Sequence, residues 1–287
     1  MLHTPGAVNP LRVTPSHAMG PTLRVSVLMP VYNEAATVAD SIARVRAVPF
    51  LMEIICVDDC STDGTKAELE RLLAAGEIDQ LVVHDVNRGK GAGIRSALAK
   101  ATGDVVVVQD ADLEYDPADI LKLIAPVQDG RADAVFGSRF RGEVSRVLYY
   151  WHSVGNGMLT TLSNMVTNLN LTDMETCYKL VRTDLMRSLP LTSNRFGFEP
   201  ELTARLAQAR ARIYEVPISY SGRTYAEGKK IRWTDGVAAL WHIIRFNFFT
   251  ARAPVYRAAQ ITAPLTIQRS SDEMERSLNA GLLSPRL

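Results

Sequence analysis

Two hydrophobic rhythms alternate along the chain. Short apolar runs rich in Val and Ile, at 24–30, 53–57, 80–84, 105–108 and 132–137, read as strands. Between them, apolar residues recur every three to four positions, predicting helices over 36–48, up to about 75, up to about 101, and over 120–128. Strand and helix joined by short connections predict a doubly wound, mostly parallel α/β sheet flanked by helices. Right-handed crossovers then bring the carboxyl ends of the strands to one side. Ligands of open α/β sheets collect at such an edge, so the loops after the first four strands face a common crevice. The fourth run, Val105 to Val108, is valine throughout, as expected of a strand buried on both faces.

The rhythm changes after Arg141. Residues 148–169 place large apolar and aromatic side chains at helical spacing, Tyr178–Val181 and 212–218 read as further strands, and a helix runs from the segment at Phe196 to Ala209. The last helix, 233–253, mixes Trp241, Ile244 and Phe248 with Arg245 and Arg252. That mixture suits an interfacial helix on a bilayer surface and, equally, a helix packed on the domain. Residues 1–22 and 254–287 carry no sustained periodicity and are expected to be flexible tails around one domain, 23–253, with halves 23–140 and 141–253.

Composition narrows the classes. A 287-residue chain that is 47% hydrophobic has the means to bury a sizeable core, and a net charge of +1 argues against a general nucleic-acid binder. Cys56, Cys60 and Cys177 form no CxxC pair, which fits a reducing, cytoplasmic setting. No uninterrupted apolar run reaches about 18 residues, so no transmembrane anchor is expected; contact with the inner face of the cytoplasmic membrane would be peripheral, through 233–253.

The chemistry concentrates in the loops. Directly after the valine strand stand Asp110, Asp112 and Glu114, oxygen donors with no Cys or His among them, a set suited to Mg²⁺ or Mn²⁺. Asp116 before Pro117 reads as a helix N-cap. Asp58 and Asp59 offer carboxylates for ribose hydroxyls or a base edge, with Ser61 or Asp63 left to cap the next helix. Arg88-Gly89-Lys90-Gly91 sets a cation among glycines at a helix N-terminus, where phosphate oxygens are favoured. The spacing is neither that of a P-loop nor that of the dinucleotide fingerprint. A metal site facing a phosphate-binding turn points to a nucleoside diphosphate.

Val-Leu-Met-Pro-Val-Tyr-Asn-Glu (27–34), Val-Asp-Asp-Cys-Ser-Thr-Asp-Gly-Thr (57–65), Asn-Arg-Gly-Lys-Gly (87–91) and Gln-Asp-Ala-Asp-Leu-Glu (109–114), in that order, resemble the inverting glycosyltransferases of family 2 with the GT-A (nucleotide-diphospho-sugar transferase) fold. Within the family the chain looks most like the polyprenyl-phosphate sugar synthases of the dolichol-phosphate mannose synthase type, with Glu114 where their metal loop has Gln. The resemblance implies a nucleotide site of Pro30, Tyr32, Asn33, Glu34, Asp58, Asp59, Lys90, Asp110 and Arg223, and a divalent metal on Asp110, Asp112 and Glu114. It implies an acceptor phosphate near Arg139, with Arg146, His152, Ser153, Arg223 and Lys230 as further acceptor contacts. Asp112, Glu199 and Arg139 are the residues it singles out for catalysis. Asp173 and Glu175 read as loop residues near the sugar.

The expected reaction is transfer of one sugar from a UDP- or GDP-linked donor to a polyprenyl phosphate. A second reading has a sugar hydroxyl as acceptor and Glu199 as general base. A third, a sugar-phosphate nucleotidyltransferase, would want a glycine-rich Arg-Lys loop after the first strand, where Val31-Tyr32-Asn33-Glu34 stands.

Overall fold

The computed structural model describes residues 23–257 apart from 51, 143, 145, 148 and 225–232, and gives the backbone alone for 233–235. The expected tail at 1–22, residues 258–287 of the tail expected over 254–287, and Lys230 lie outside the described residues.

The first half runs β1 (Val25–Val31), α1 (Val38–Arg46), β2 (Met52–Asp58), α2 (Thr65–Ala74), β3 (Gln80–Val83), α3 (Lys90–Leu98), β4 (Val105–Val108), a 3₁₀ turn (Pro117–Asp119), α4 (Ile120–Gln128) and β5 (Ala134–Ser138). Asp116 caps the 3₁₀ turn, its side chain accepting from the Ala118 N–H at 3.0 Å, ahead of Pro117 at the first position. The second half adds α5 (Tyr150–Thr167), β6 (Lys179–Arg182), α6 (Thr183–Ser188), α7 (Phe198–Gln208), β7 (Ile213–Pro217) and α8 (Trp233–Phe248). The short α6 is too brief to show a helical period and was not foreseen.

All seven strands form one sheet in the order β3-β2-β1-β4-β6-β5-β7. β1 lies between β2 and β4, parallel to both, and all four valines of β4 are buried, as expected of a strand covered on both faces. The sheet is mostly parallel, as expected, and one strand is reversed. β6 is antiparallel to both β4 and β5, pairing Val107 with Leu180 and Phe136 with Lys179. A fully covered strand is apolar whichever way it runs, so its direction left no mark on the pattern. The reversal has a consequence for function: the amino end of β6, and the segment that feeds it, lie at the carboxyl edge of β4.

Two boundaries also move. α8 ends at Phe248 rather than Ala253, and the segment after it begins docked. The Tyr256 N–H donates to Ala209 O at 2.9 Å, and its hydroxyl accepts from Arg182 Nε at 2.9 Å and donates to Asp184 Oδ2 at 2.8 Å. Residues 254–256, expected as part of a flexible tail, are therefore docked on the domain.

Candidate active site

The loops after β1 and β2 are laced together. Asn33 sits at φ 53, a left-handed conformation that Asn tolerates better than most residues. There its N–H meets Ser61 Oγ at 3.0 Å while its Oδ1 accepts from the Thr62 N–H at 2.8 Å. The Glu34 N–H donates to Thr65 Oγ1 at 2.9 Å, and the Ala35 N–H to Asp63 Oδ2 at 3.2 Å. Asp63 also accepts from the Thr65 N–H at 3.1 Å, so it is Asp63, rather than Ser61, that holds the start of α2. Pro30 is half-buried behind this rim and Tyr32 projects from it, 42% exposed.

Of the two acids after β2, both are buried, and Asp59 is fully engaged. Its carboxylate accepts from the Arg88 N–H at 2.8 Å and the Gly89 N–H at 2.7 Å, and meets His84 Nδ1 at 2.7 Å; His84 Nε2 is 2.9 Å from Ser96 Oγ. Asp59 thus organises the glycine-lysine turn. Asp58 receives only long contacts, 3.4 Å, from the Ser61 N–H.

The glycines of that turn serve a purpose other than the one expected. A Cβ on Gly89 would stand 2.5 Å from Asn194 O, and one on Gly91 would run into Ser193 O. The Ala92 N–H donates to Asn194 O at 3.2 Å. The 193–195 segment of the second half therefore seats on the N-terminus of α3, where a phosphate was anticipated. Lys90 reaches instead into the crevice, its Nζ 3.0 Å from Asp110 Oδ1 and 2.9 Å from Glu199 Oε1. Burial alone would lower its pKa, but the Asp110 and Glu199 charges outweigh burial and hold it well above the ordinary lysine value.

The acidic loop after β4 closes around Arg223. Its Nη2 is 2.9 Å from Asp112 Oδ2, its backbone N–H donates to Glu114 Oε1 at 2.9 Å, and its guanidinium lies 3.5 Å from Glu34. Glu114 Oε2 accepts from the Tyr220 hydroxyl at 2.8 Å. Glu114 is thereby turned toward the 220–223 loop, and among the described residues no three Asp, Glu, His or Cys side chains converge into a ready-made metal cage. The three-carboxylate set expected from the sequence is not preformed. Burial, then the charges of Asp110 and Glu114, push the Asp112 carboxyl up to about 7 against the opposing pull of Arg223. Hard oxygen donors that repel one another fit Mg²⁺ or Mn²⁺, which Asp112 and Asp110 would hold.

A buried ionic cluster joins the two halves. Arg139, at the end of β5, grips Asp173 twice, Nε to Oδ2 at 2.6 Å and Nη2 to Oδ1 at 2.7 Å, and reaches Asn156 Oδ1 at 3.3 Å. The geometry expected toward an acceptor phosphate is thus directed at a carboxylate of the protein. Arg146 is exposed and bonds Gly222 O at 3.3 Å, beside the Arg223 loop. His152 and Ser153 lie in the first turn of α5, where both N–H groups donate to Tyr149 O. Glu199 is buried against Lys90, while Glu201 accepts from the Thr192 and Ser193 N–H groups and so holds the segment that seats on α3.

Some participants were missed in the sequence. Lys179 is buried in β6, donating to Met174 O at 2.8 Å and to Thr176 O, with its ammonium 4.8 Å from the centre of the Phe136 ring. A lysine inside an apolar strand, Tyr178-Lys179-Leu180-Val181, was the signal available. Tyr220 gave none, because its partner Glu114 is more than a hundred residues earlier.

Comparison with known proteins identifies the family. Residues 26–189 match the model of glycosyl transferase family 2. An undecaprenyl-phosphate mannosyltransferase of Micrococcus luteus is 30% identical over 78% of this chain and 98% of its own length. A dolichol-phosphate mannosyltransferase of Pyrococcus furiosus is 28% identical over 72% of this chain and 59% of its own. Among solved structures, glucosyl-3-phosphoglycerate synthase of Mycobacterium tuberculosis, in complex with Mn²⁺, UDP and glucosyl-3-phosphoglycerate, superposes with a TM-score of 0.62 at 20% identity, covering 80% of this chain and 81% of that one, a likeness of fold. The chain belongs to glycosyl transferase family 2 and is a GT-A-fold glycosyltransferase related to the polyprenyl-phosphate sugar transferases.

Proposed function

We propose that the protein moves one sugar, with inversion, from a nucleoside-diphosphate sugar to a polyprenyl phosphate presented at a membrane surface, with Mg²⁺ or Mn²⁺ as cofactor. The reading is carried by the charge arrangement at the carboxyl edge of β4, where Lys90 and Arg223 face Asp110 and Asp112. A divalent ion held by Asp112 and Asp110 would neutralise the departing diphosphate. The laced loops at Asn33, Glu34 and Asp58 border the nucleoside, Lys90 fixes the orientation of Asp110, and Arg223 exchanges a carboxylate for phosphate oxygens. A phosphate acceptor is already ionised, so its oxygen attacks the anomeric carbon without a base. Arg146, beside the Arg223 loop, supplies charge for that phosphate. Glu199, paired with Lys90, then has a positioning role, whereas a sugar-hydroxyl acceptor would require it to leave that pair and act as base.

A lipid acceptor also accounts for an exposed apolar surface. On α5, Trp151, Met158 and Met165 recur every seven residues and are 77%, 70% and 76% exposed. α8, packed against α5, exposes Val237, Trp241 and Phe248. No described helix is long and apolar enough to cross a membrane, so this surface would meet the bilayer peripherally.

The test is transfer of radiolabelled sugar from UDP-glucose, UDP-galactose, UDP-N-acetylglucosamine or GDP-mannose into organic-extractable lipid, with added polyprenyl phosphate and Mg²⁺ or Mn²⁺. Metal-dependent lipid label that disappears in Asp112→Ala is expected. Metal-dependent donor hydrolysis without lipid label would overturn the lipid acceptor and favour a hydroxyl acceptor with Glu199 as base.

A further inference from the structure

Most carboxylates of the crevice have a charged partner. Asp110 and Glu199 are paired with Lys90, Asp112, Glu114 and Glu34 with Arg223, and Asp173 with Arg139. Glu175 differs: its Oε1 is enclosed and has no hydrogen-bond partner, and neither has Oγ1 of the adjacent Thr176. A buried polar atom without a partner costs on the order of 1–3 kcal/mol and calls for an explanation.

The surrounding structure holds Glu175 in place. Lys179 Nζ donates to the carbonyls on either side of it, Met174 O and Thr176 O, and the Met174 N–H donates to Thr160 Oγ1 at 3.1 Å. The Cys177 N–H donates to the Tyr115 hydroxyl at 3.0 Å, and the Tyr178 hydroxyl donates to Gln109 Oε1 at 2.6 Å, which docks the segment onto the end of β4. Because β6 runs antiparallel, this segment enters the sheet on the ligand side. The sheet order supplies the direction of the ligand: nucleoside loops follow β2 and β1, diphosphate charges follow β4, and the next strand along is β6. A group attached beyond the diphosphate arrives at the amino end of β6.

We propose that Glu175 binds a hydroxyl of the transferred sugar, with Thr176 beside it, and so contributes to the choice of sugar. Burial, then the Glu199 charge, raises the Glu175 carboxyl to about 8 despite Lys179 and Arg139, so at neutral pH it can donate a hydrogen bond as well as accept one. The assignment rests on the nucleotide-sugar donor proposed above but not on the lipid acceptor.

Calorimetric titration without acceptor tests it. Wild-type protein with Mn²⁺ is titrated with the four nucleotide sugars named above, then with free UDP and GDP, and the series is repeated for Glu175→Ala and Glu175→Gln. Glu175→Ala is expected to bind the preferred nucleotide sugar about tenfold more weakly, the worth of one buried hydrogen bond. Its affinity for the free nucleoside diphosphate should stay unchanged, and Glu175→Gln, which keeps the shape and both hydrogen-bonding roles, should restore most of the loss. Equal weakening of sugar nucleotide and free diphosphate would assign Glu175 to loop structure and overturn the proposal. So would unchanged affinities in both variants. A wild-type protein that binds none of the four sugar nucleotides overturns the donor reading and this assignment with it.

Discussion

The two halves of the molecule build their share of the crevice differently. In residues 23–140 the candidate groups of the donor site, from Pro30 to Glu114, stand at the carboxyl ends of parallel strands, in the loops that follow them or, for Lys90, at the start of α3. Those strands are anchored by apolar packing of Val27, Ile55 and Val107. In residues 141–257 the groups come from a loop before an antiparallel strand, a helix start and the segment after β7, and they are held by buried charges. Asp173, Lys179, Glu199, Glu201 and Arg205 are all at most 5% exposed. The first half rests most of its chemistry on a hydrophobic scaffold, with the buried Asp59–His84 pair the exception; the second uses several charged groups as part of the scaffold. A buried ion pair is costly to break, because deleting one partner leaves the other charge desolvated.

The largest expected effect breaks or upholds that contrast. Arg139→Leu leaves Asp173, which is fully buried, without its bidentate partner. A loss of about 3–5 kcal/mol is expected. Arg46→Leu removes a first-half ion pair whose side chains are 28% and 43% exposed, and should cost at most about 1 kcal/mol, as surface pairs do. Urea unfolding of both variants measures the difference. Equal costs would show that the second half's Asp173 is no more dependent on its ionic partner than a surface pair of the first half.

The same contrast decides how much could be read from the sequence. Strand–loop–helix units are local, so the hydrophobic rhythm found β1 to β5 within a residue or two, and Asp58, Asp110 and Asp112 stood where loop chemistry placed them. The α3 N-terminus was misread because Gly89-Lys90-Gly91 suits both a phosphate and a close-packed backbone, and Ser193 and Asn194, which occupy the site, are about a hundred residues away. Arg139 was assigned to the acceptor for a similar reason: an arginine after a strand does not disclose that Asp173 will face it. The reversed β6 was invisible because its buried residues obey the same pattern in either direction.

A smaller effect sharpens the comparison at the seam between the halves. Gly91→Ala would drive a Cβ into the backbone of Ser193, pushing the 193–195 segment off α3 at a cost of about 1–3 kcal/mol, as overpacking does. Gly155, in α5, has nothing within 4 Å of a built Cβ, so Gly155→Ala should gain up to about 1 kcal/mol from helix propensity. Thermal unfolding gives both signs. Gly91→Ala should also reduce transfer, since the displaced segment is joined through Glu201 to the helix that carries Glu199 and hence to Lys90. If Gly91→Ala is as harmless as Gly155→Ala, the seam is loose, and the glycines are needed for something other than close packing.

The smallest effect lies at the opposite edge of the sheet, where Asp133 before β5 meets Arg212 before β7, with Nη2 to Oδ1 at 2.7 Å and the Arg212 N–H to Oδ2 at 2.9 Å. Burial would raise the Asp133 carboxyl, but the Arg212 side-chain and backbone hydrogen bonds, and then its charge, outweigh burial and hold it below the ordinary aspartate value. A depressed carboxylate contributes stability that is fully present above the unfolded-state pKa, about 4, and is lost as pH falls through the folded-state value. Arg212 is 50% exposed, so solvent screening leaves at most about 1 kcal/mol. Asp133→Asn should therefore lower stability slightly at pH 7, and the gap to wild type should close as pH drops below about 4. Stability measured against pH by urea unfolding tests this. A gap that persists at low pH would mean that Asp133 acts through its shape and hydrogen bonds alone.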